Sequence, residues 1–157
     1  MKREKLFESG FKIAETFHYH PLLSPLLEVG LSITQINKFR KSFEEIQSVN
    51  IIYDSGIDEK SAKACHKKID GKGPTITFAV KGDKMIGGIA YQDWSAEDGK
   101  KFDEFIRDPF AAVFCITQEV QVCPVKCYDR ALYGDIRYGP IFGYNQLCVN
   151  LGLGFRV

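Results

Sequence analysis

The sequence lacks an excess of charge of either sign. Its 157 residues include 21 basic and 20 acidic side chains, which leaves a formal net charge of +1. A surface with balanced charges produces no field strong enough to hold nucleic acid or an anionic membrane without other contacts. The composition therefore predicts a protein without a nucleic-acid partner.

Long hydrophobic runs are also missing. The longest apolar stretch, residues 21–27, is interrupted by proline and is far shorter than a bilayer-spanning segment. The charged residues 1–5 are followed by no continuous apolar region, so a secretory signal peptide is not expected. We expect a soluble, cytoplasmic protein with no integral membrane segment.

The familiar signatures of redox, metal and phosphate chemistry are absent. Cys123 and Cys127 are separated by three residues within a predicted strand, whereas thioredoxin-type pairs are separated by two and open a helix. The cysteines and histidines do not have the paired spacing of a zinc site. Residues 70–73 (DGKG) lack the phosphate-loop spacing and follow a predicted helix instead of preceding one. We therefore predict no cofactor and no metal ion.

Hydrolase signatures are missing as well. None of the three histidines falls in a recognisable Ser–His or Cys–His motif. The five cysteines, an odd number without a signal peptide, are interpreted as reduced thiols. We predict no catalytic residues and a protein that is not an enzyme. One alternative stays open, in which a cysteine serves a small thiol-dependent antioxidant enzyme.

The residues that are present suit one globular domain with a large β component. Hydrophobic residues make up 45% of the chain and include 12 Phe and 7 Tyr. A globular chain of this length buries about 70% of its unfolded surface, which is enough for a core without disulfides. Aromatic side chains fit strand faces. Together with two amphipathic helical patterns, they predict an α+β fold.

Residues 1–48 differ in pattern from the rest of the chain. Apolar residues recur at helical spacing over residues 4–17, and again in a second segment for which Ser32 or Thr34 is the predicted N-cap. The apolar face of that second helix consists of Ile36, Phe39, Phe43 and Ile46. We predict a helical N-terminal extension over residues 1–48 and a second domain over residues 49–157.

From Val49 onward the pattern is mainly that of strands. A short strand over residues 49–53 precedes a helix with Asp58 as its predicted N-cap and a stop at Asp70-Gly71. Gly82-Asp83 suits a hairpin turn, and Gly87-Gly88 indicates either a bulge or a close approach of another backbone. Further strands are predicted over residues 75–80, 85–91, 110–117, 125–128, 131–133 and 146–149, the 110–117 run being buried on both faces.

An ordered set of motifs lies in this second domain. The set begins with the segment HKKIDGKGPT over residues 66–75 and the pair Gly87-Gly88. It continues with Trp94-Ser95, the strand FAAVFCIT, the strand Ala131-Leu132-Tyr133 and the turn from Tyr138 to Gly143. In order and spacing, these motifs resemble those of TLDc domains in many protists; the TLDc domain is a eukaryotic module of oxidation-resistance proteins. The structural signature carried over is Asp70, Gly71, Gly73, Pro74, Gly87, Gly88, Trp94, Gly139, Pro140, Phe142 and Gly143.

The resemblance implies a fold and a function. It implies a two-sheet antiparallel β-sandwich flanked by helices, and a non-catalytic interaction module. Members of the family are associated with resistance to oxidative stress, and several bind subunits of the vacuolar proton-pumping ATPase. We therefore expect the protein to bind a protein partner and to have a role in the stress response. Through that partner, it would lie at the periphery of vacuolar or lysosomal membranes.

The chain also departs from the family pattern. Ile86 replaces a usual aromatic residue, Gln146 replaces a common acidic residue, and the sequence ends at Val157 before the expected closing strand. We interpret it as a divergent or truncated member. Binding residues concentrate on loops that a rigid scaffold holds in place. On loop position, Lys72, Trp94 and Tyr138 are the predicted partner-binding residues.

Overall fold

The computed structural model describes residues 23–81, 84–95, 104–144, 146–150 and 154–156. The chain divides into two compact units, Met1–Ile51 and Ile52–Val157. The predicted helix over residues 4–17 and the predicted turn at Gly82-Asp83 lie outside the described residues. No helix in the described ranges is long and apolar enough to cross a membrane.

Two short helices form the described part of the first unit, α1 (Leu23–Val29) and α2 (Ile33–Ser42). Ser32 begins α2 with a capping box: its hydroxyl accepts from the Gln35 N–H at 3.3 Å, and the Gln35 side chain accepts from the Ser32 N–H at 2.9 Å. Ser32 is therefore the N-cap, and Thr34 is not. The side chains of Ile36 and Phe39 in the helix and of Phe43 at its C-cap are buried, as predicted. Ile46 was wrongly included in the helix, because α2 ends at Ser42 and Ile46 lies half-buried beyond it.

Helix α1 lies between the two helices predicted for residues 1–48 and was not itself predicted. Pro25 lies in its first turn, where a backbone N–H has no acceptor within the helix. A proline at that position costs no hydrogen bond. Gly30 follows the helix with φ +104°, a backbone conformation that favours glycine.

The second unit begins with an irregular segment and a helix. The strand predicted over residues 49–53 is wrong, because the chain there pairs with no strand in the described structure. Helix α3 (Ala62–Ile69) begins at Ser61, whose hydroxyl accepts from the Ala64 N–H at 3.1 Å. Asp58 is therefore not its N-cap. The Asp58 carboxylate instead accepts from the Asp54 N–H at 2.9 Å and pairs with Lys68 Nζ at 2.6 Å.

Strands in the described residues form two antiparallel sheets. The first sheet has the order β1-β2-β4-β5, with β1 (Thr75–Lys81), β2 (Lys84–Ala90), β4 (Ala112–Ile116) and β5 (Val120–Pro124). The second has the order β3-β6-β7-β8-β9, with β3 (Glu104–Ile106), β6 (Leu132–Gly134), β7 (Ile141–Phe142), β8 (Leu147–Asn150) and β9 (Gly154–Arg156). The fold is the predicted α+β, two-sheet antiparallel architecture.

Some strand boundaries differ from the predicted ones. The strand predicted over residues 125–128 is wrong: β5 ends at Pro124, and a 3-10 helix follows at Tyr128–Arg130. The hairpin between β4 and β5 pairs Ile116 with Val120, so pairing begins at Val120. The predicted two-face burial of residues 110–117 is only partly met, because β4 alternates between buried and half-buried side chains.

One core is shared by both sheets and α3. It contains Trp94, Phe142, Leu132 and Leu147, together with Cys65 and Ile69 from the helix. The indole of Trp94 packs edge-on against the Phe142 ring, with centroids 5.2 Å apart and an interplanar angle of 88°. This contact places residues just after β2 against the second sheet.

Gly87 and Gly88 lie where side chains approach β2 from both faces. The register is continuous, with Gly87 opposite Phe78 and Phe114, so there is no bulge at these positions. The Phe78 and Phe114 rings meet over Gly87 with centroids 5.5 Å apart. On the other face, a Cβ at Gly88 would lie 2.6 Å from ring atoms of Phe142. A Cβ at Gly87 would overlap the Thr77 carbonyl oxygen, so the predicted close approach of another backbone is right at Gly87, whereas at Gly88 the approaching group is the Phe142 ring.

Candidate functional site

His66 joins the C-terminal part of α3 to the turn that carries Tyr138. Its ring is buried, with Nδ1 2.7 Å from Asp70 Oδ1 and Nε2 3.0 Å from the Tyr138 carbonyl oxygen. The carbonyl can only accept, so Nε2 donates to it. This bridge could not be predicted from the sequence, because its two ends are far apart along the chain.

The end of α3 is held by a second carboxylate, that of Asp93. Asp93 Oδ1 accepts from the backbone N–H groups of Gly71 and Ser95, each at 2.8 Å. Burial acts to raise the pKa of Asp93, but the hydrogen bonds from the Ser95 and Gly71 backbones outweigh it and the pKa is lowered. Gly71 has φ +75°, which favours glycine.

The backbone of Gly73 also approaches this segment closely. A Cβ at Gly73 would lie 3.1 Å from backbone atoms of Gln92 and Asp93. The peptide bond between Gly73 and Pro74 is cis. The signature residues from Asp70 to Pro74 therefore bring the end of α3 against the chain that follows β2.

Trp94 is the one predicted partner-binding residue that is not at the surface. Its side chain is only 1% exposed, so it cannot contact a partner while the fold persists. The indole N–H donates to the Thr75 hydroxyl at 2.8 Å. Trp94 positions the segment around it, whereas Lys72 and Tyr138 are exposed.

The turn that carries Tyr138 is organised by Asp135. This carboxylate is buried and accepts from the Arg137 backbone N–H at 2.9 Å and from the Arg137 Nε at 3.0 Å. The side-chain hydrogen bond from Arg137 holds the pKa of Asp135 below its usual value, against the effect of burial. The Tyr138 N–H donates to the Asp135 carbonyl at 2.9 Å.

The remaining signature residues lie between this turn and β8, where they are buried or form backbone hydrogen bonds. Gly139, Pro140 and Phe142 are buried. The Pro140 carbonyl accepts from the Val149 N–H at 3.0 Å, and the Gly143 N–H donates to the Ala131 carbonyl at 2.6 Å. Gly143 has φ +53°, again a conformation that favours glycine.

Asp108 is a structural centre that the sequence analysis did not identify. Its side chain is fully buried and accepts from four backbone N–H groups. Oδ2 accepts from Tyr91 at 2.6 Å and Gln92 at 3.0 Å, and Oδ1 accepts from Phe110 and Ala111, each at 3.1 Å. Asp108 and Asp135 both accept from the N–H two residues later, and an Asp followed by turn residues is the signal that could have found them.

The cysteines are free thiols in different environments. Cys65 is buried against the core, and that burial, with the negative charge of Asp70, raises the pKa of its thiol to about 11. Cys115 and Cys148 are half-buried, whereas Cys123 and Cys127 are exposed. In the ranges that the structure describes, no group of three or more His, Cys, Asp or Glu side chains is placed to hold a metal ion.

Comparison with known families gives one match. Residues 30–156 match the TLDc domain. No curated protein and no solved structure matches the chain. The family match confirms the resemblance that was found in the sequence motifs.

Proposed function

The chain belongs to the TLDc family, and from that premise we propose that it is a non-catalytic interaction module that acts by binding a protein partner. The observation that carries this proposal is the state of the buried polar groups. Within the described residues, every buried side-chain nitrogen or oxygen has a hydrogen-bond partner. Asp108, Asp135 and His66 are each occupied in holding backbone segments together. A catalytic acid or base needs a hydrogen-bonding position that a substrate can take.

The partner-binding surface in this proposal includes Lys72 and Tyr138. Both residues are exposed, and both follow structural anchors: Lys72 follows the Gly71–Asp93 bond, and Tyr138 is held by His66 and Asp135. Exposed residues on anchored loops can bind with a small loss of conformational entropy. Trp94 does not contact the partner in this proposal; it contributes to binding by holding the surrounding segment in position.

The proposed partner is a subunit of the vacuolar proton-pumping ATPase, and the proposed role is protection against oxidative stress. Family membership supports both. This role implies a cytoplasmic protein that lies beside vacuolar or lysosomal membranes through its partner, without an integral membrane segment of its own.

Binding to the purified cytoplasmic sector of a vacuolar ATPase tests the proposal. The double variant Lys72→Glu/Tyr138→Ala should bind at least about tenfold more weakly than the wild type, because one charge and one exposed ring are lost at the same surface. The matched control Lys63→Glu/Tyr128→Ala changes the same residue types at other exposed positions and should bind normally. Absence of wild-type binding, or equal loss in both variants, contradicts the proposal.

A thiol-dependent antioxidant enzyme is the second candidate, and the exposure of Cys123 and Cys127 favours it. Exposed thiols can reach an oxidant, whereas Cys65, with its raised pKa, stays a neutral thiol near pH 7. Alkylation at neutral pH should therefore modify Cys65 only after unfolding.

A variant without cysteines separates the two functions. It carries Cys65→Ala, because that site is apolar, and serine at the other four positions, with folding checked by circular dichroism. Retained protection of expressing cells against peroxide supports the binding function. Loss of protection by the folded variant, together with peroxide consumption by the purified wild type, establishes the enzyme instead.

A further inference from the structure

A row of aromatic side chains crosses the second sheet and reaches the surface. Phe105 on β3 is paired with Tyr133 on β6, and their ring centroids are 5.0 Å apart. Tyr144, just after β7, stacks on Phe105 at 5.8 Å with an interplanar angle of 22°. Phe105 is 38% exposed and Tyr144 65% exposed. At the other end of the row, Tyr133 lies 6.5 Å from Tyr138, so the row is continuous with the surface proposed above.

Arg130 adds a positive charge to this row. Its guanidinium carbon lies 5.4 Å from the Phe105 centroid and 5.8 Å from the Tyr144 centroid. Cation–π contacts of this kind attract the guanidinium group to the two rings. Among the described residues, no carboxylate pairs with Arg130. In contrast, Arg107 pairs with Asp129 at 3.3 Å, and Arg137 is bound to Asp135.

We propose that the row of Phe105, Arg130, Tyr133 and Tyr144 binds a protein segment that presents an acidic side chain beside an aromatic residue or a proline. This inference rests on the proposed function, that the domain acts by binding protein. The planar guanidinium can donate two parallel hydrogen bonds to a carboxylate while it stays beside the rings. The exposed parts of Phe105 and Tyr144 offer the apolar contacts that a proline or aromatic ring takes up.

The charge on this surface favours a peptide over a nucleic acid. Phosphate backbones are held by several cations together. Of the three arginines that the structure describes beside this row, Arg107 and Arg137 are neutralised by Asp129 and Asp135, and the formal net charge of the chain is only +1. The third guanidinium, that of Arg130, matches a single carboxylate.

An NMR titration of the full 15N-labelled chain tests the inference. The probe is the peptide acetyl-Pro-Glu-Trp-Pro-amide, and its control is the same peptide with Gln in place of Glu. The amide signals of residues 105, 130, 133 and 144 should shift, with the Glu peptide binding at least about fivefold more tightly. Equal affinities for the two peptides, or shifts confined to other residues, overturn the inference.

Two variants test separately how the Arg130 charge and the Tyr144 ring contribute to peptide binding. Arg130→Gln should reduce the preference for the Glu peptide to less than about twofold, whereas Arg107→Gln, which also removes an arginine stacked on a ring, should keep it. Tyr144→Ala should weaken both peptides by a similar factor. Full retention of the preference in Arg130→Gln overturns the inference, and so does tighter binding of an oligothymidylate to the same residues.

This test is independent of the ATPase experiment. If the peptide fails to bind while the Lys72 and Tyr138 variant still loses the ATPase, only the present inference is wrong. If the peptide binds through Arg130 and no ATPase binding occurs, the peptide site stands and the proposed partner is wrong. Self-association of the chain that Arg130→Gln and Tyr144→Ala abolish would assign the surface to a second copy and overturn the inference.

Discussion

A single buried carboxylate, that of Asp108, fixes the geometry where two chain segments meet. Its two oxygens accept from the backbone after β2 and from the turn before β4. A backbone N–H that is shielded from water is costly to leave without an acceptor, and here four backbone N–H groups donate to one side chain. The residue therefore acts as a structural anchor, although it lies in a turn.

Replacement of Asp108 should have a graded effect on stability. Asp108→Ala removes the side-chain acceptor that four backbone N–H groups share and should lower the free energy of unfolding by at least about 3 kcal/mol, although the Ala111 N–H also donates to the Asp108 backbone carbonyl at 3.3 Å. Asp108→Asn keeps one oxygen and should cost about 1–3 kcal/mol. Urea denaturation followed by circular dichroism measures both.

The matched control is Asp129→Ala, at an exposed carboxylate whose ion pair with Arg107 is also exposed. Such surface pairs contribute about 0–1 kcal/mol, so this variant should be nearly as stable as the wild type. Equal losses at Asp108 and Asp129 would contradict the anchoring role of Asp108.

At the residue scale, the sequence was informative about exposure in loops and less so about long-range partners. The exposed positions of Lys72 and Tyr138 agree with their loop context. The burial of Trp94 depends on Phe142, and the bridge from His66 ends at Tyr138; both partners come from distant parts of the chain. Local periodicity carries no information about such contacts, so they could not be predicted.

At the element scale, the two glycines at the centre of β2 allow aromatic side chains to pack against both faces of the strand. Gly87 is covered by the rings of Phe78 and Phe114 from the neighbouring strands, and Gly88 faces Phe142 of the opposite sheet. Glycine is normally unfavourable in a strand, since it buries no side chain. Here the cross-strand rings fill the space that a side chain would occupy.

Gly88→Val should destabilise the protein by about 1–3 kcal/mol, because the new side chain would overlap the buried ring of Phe142. Thermal and urea denaturation measure the loss. Lys84→Val, at the exposed start of the same strand, is the control and should change stability little. An unchanged melting temperature for Gly88→Val would show that the sheets can separate locally without cost.

The elements with strong local signals were the ones predicted well. β1 and β2 have β-branched and apolar residues over most of their length, and α2 has a capping Ser32 and an apolar stripe. β5 was misplaced because its position follows from pairing with β4 and not from its own residues. β7 has two residues, too few for any periodicity.

At the scale of the whole molecule, the stability of the fold depends on pH through a few carboxylates. Three aspartates, Asp58, Asp93 and Asp135, have pKa values below the usual value of 3.8. Hydrogen bonds from Lys68 lower the pKa of Asp58, and those from Arg137 lower that of Asp135. The division into a helical extension over residues 1–48 and a domain over residues 49–157 stays a prediction.

Acid should therefore destabilise the fold. A carboxyl group whose folded pKa is lowered contributes stability above its unfolded value, and that contribution is lost as the pH falls through the folded value. The free energy of unfolding from these groups should be constant from pH 7 to about pH 5 and should fall below about pH 4. Urea denaturation across this range measures it. Asp135→Asn should show a shallower acid dependence, and a slope equal to that of the wild type would exclude Asp135 as a contributor.

The contact between Gly88 and Phe142 also constrains how the sequence can change over evolutionary time. A larger residue at position 88 should be tolerated once Phe142 has been replaced by a smaller side chain, such as leucine. If position 88 changes first, the intermediate protein has overlapping atoms at these two sites. Substitutions at these two sites should therefore be inherited as a pair. In any lineage that loses Gly88, the smaller side chain at position 142 should appear first.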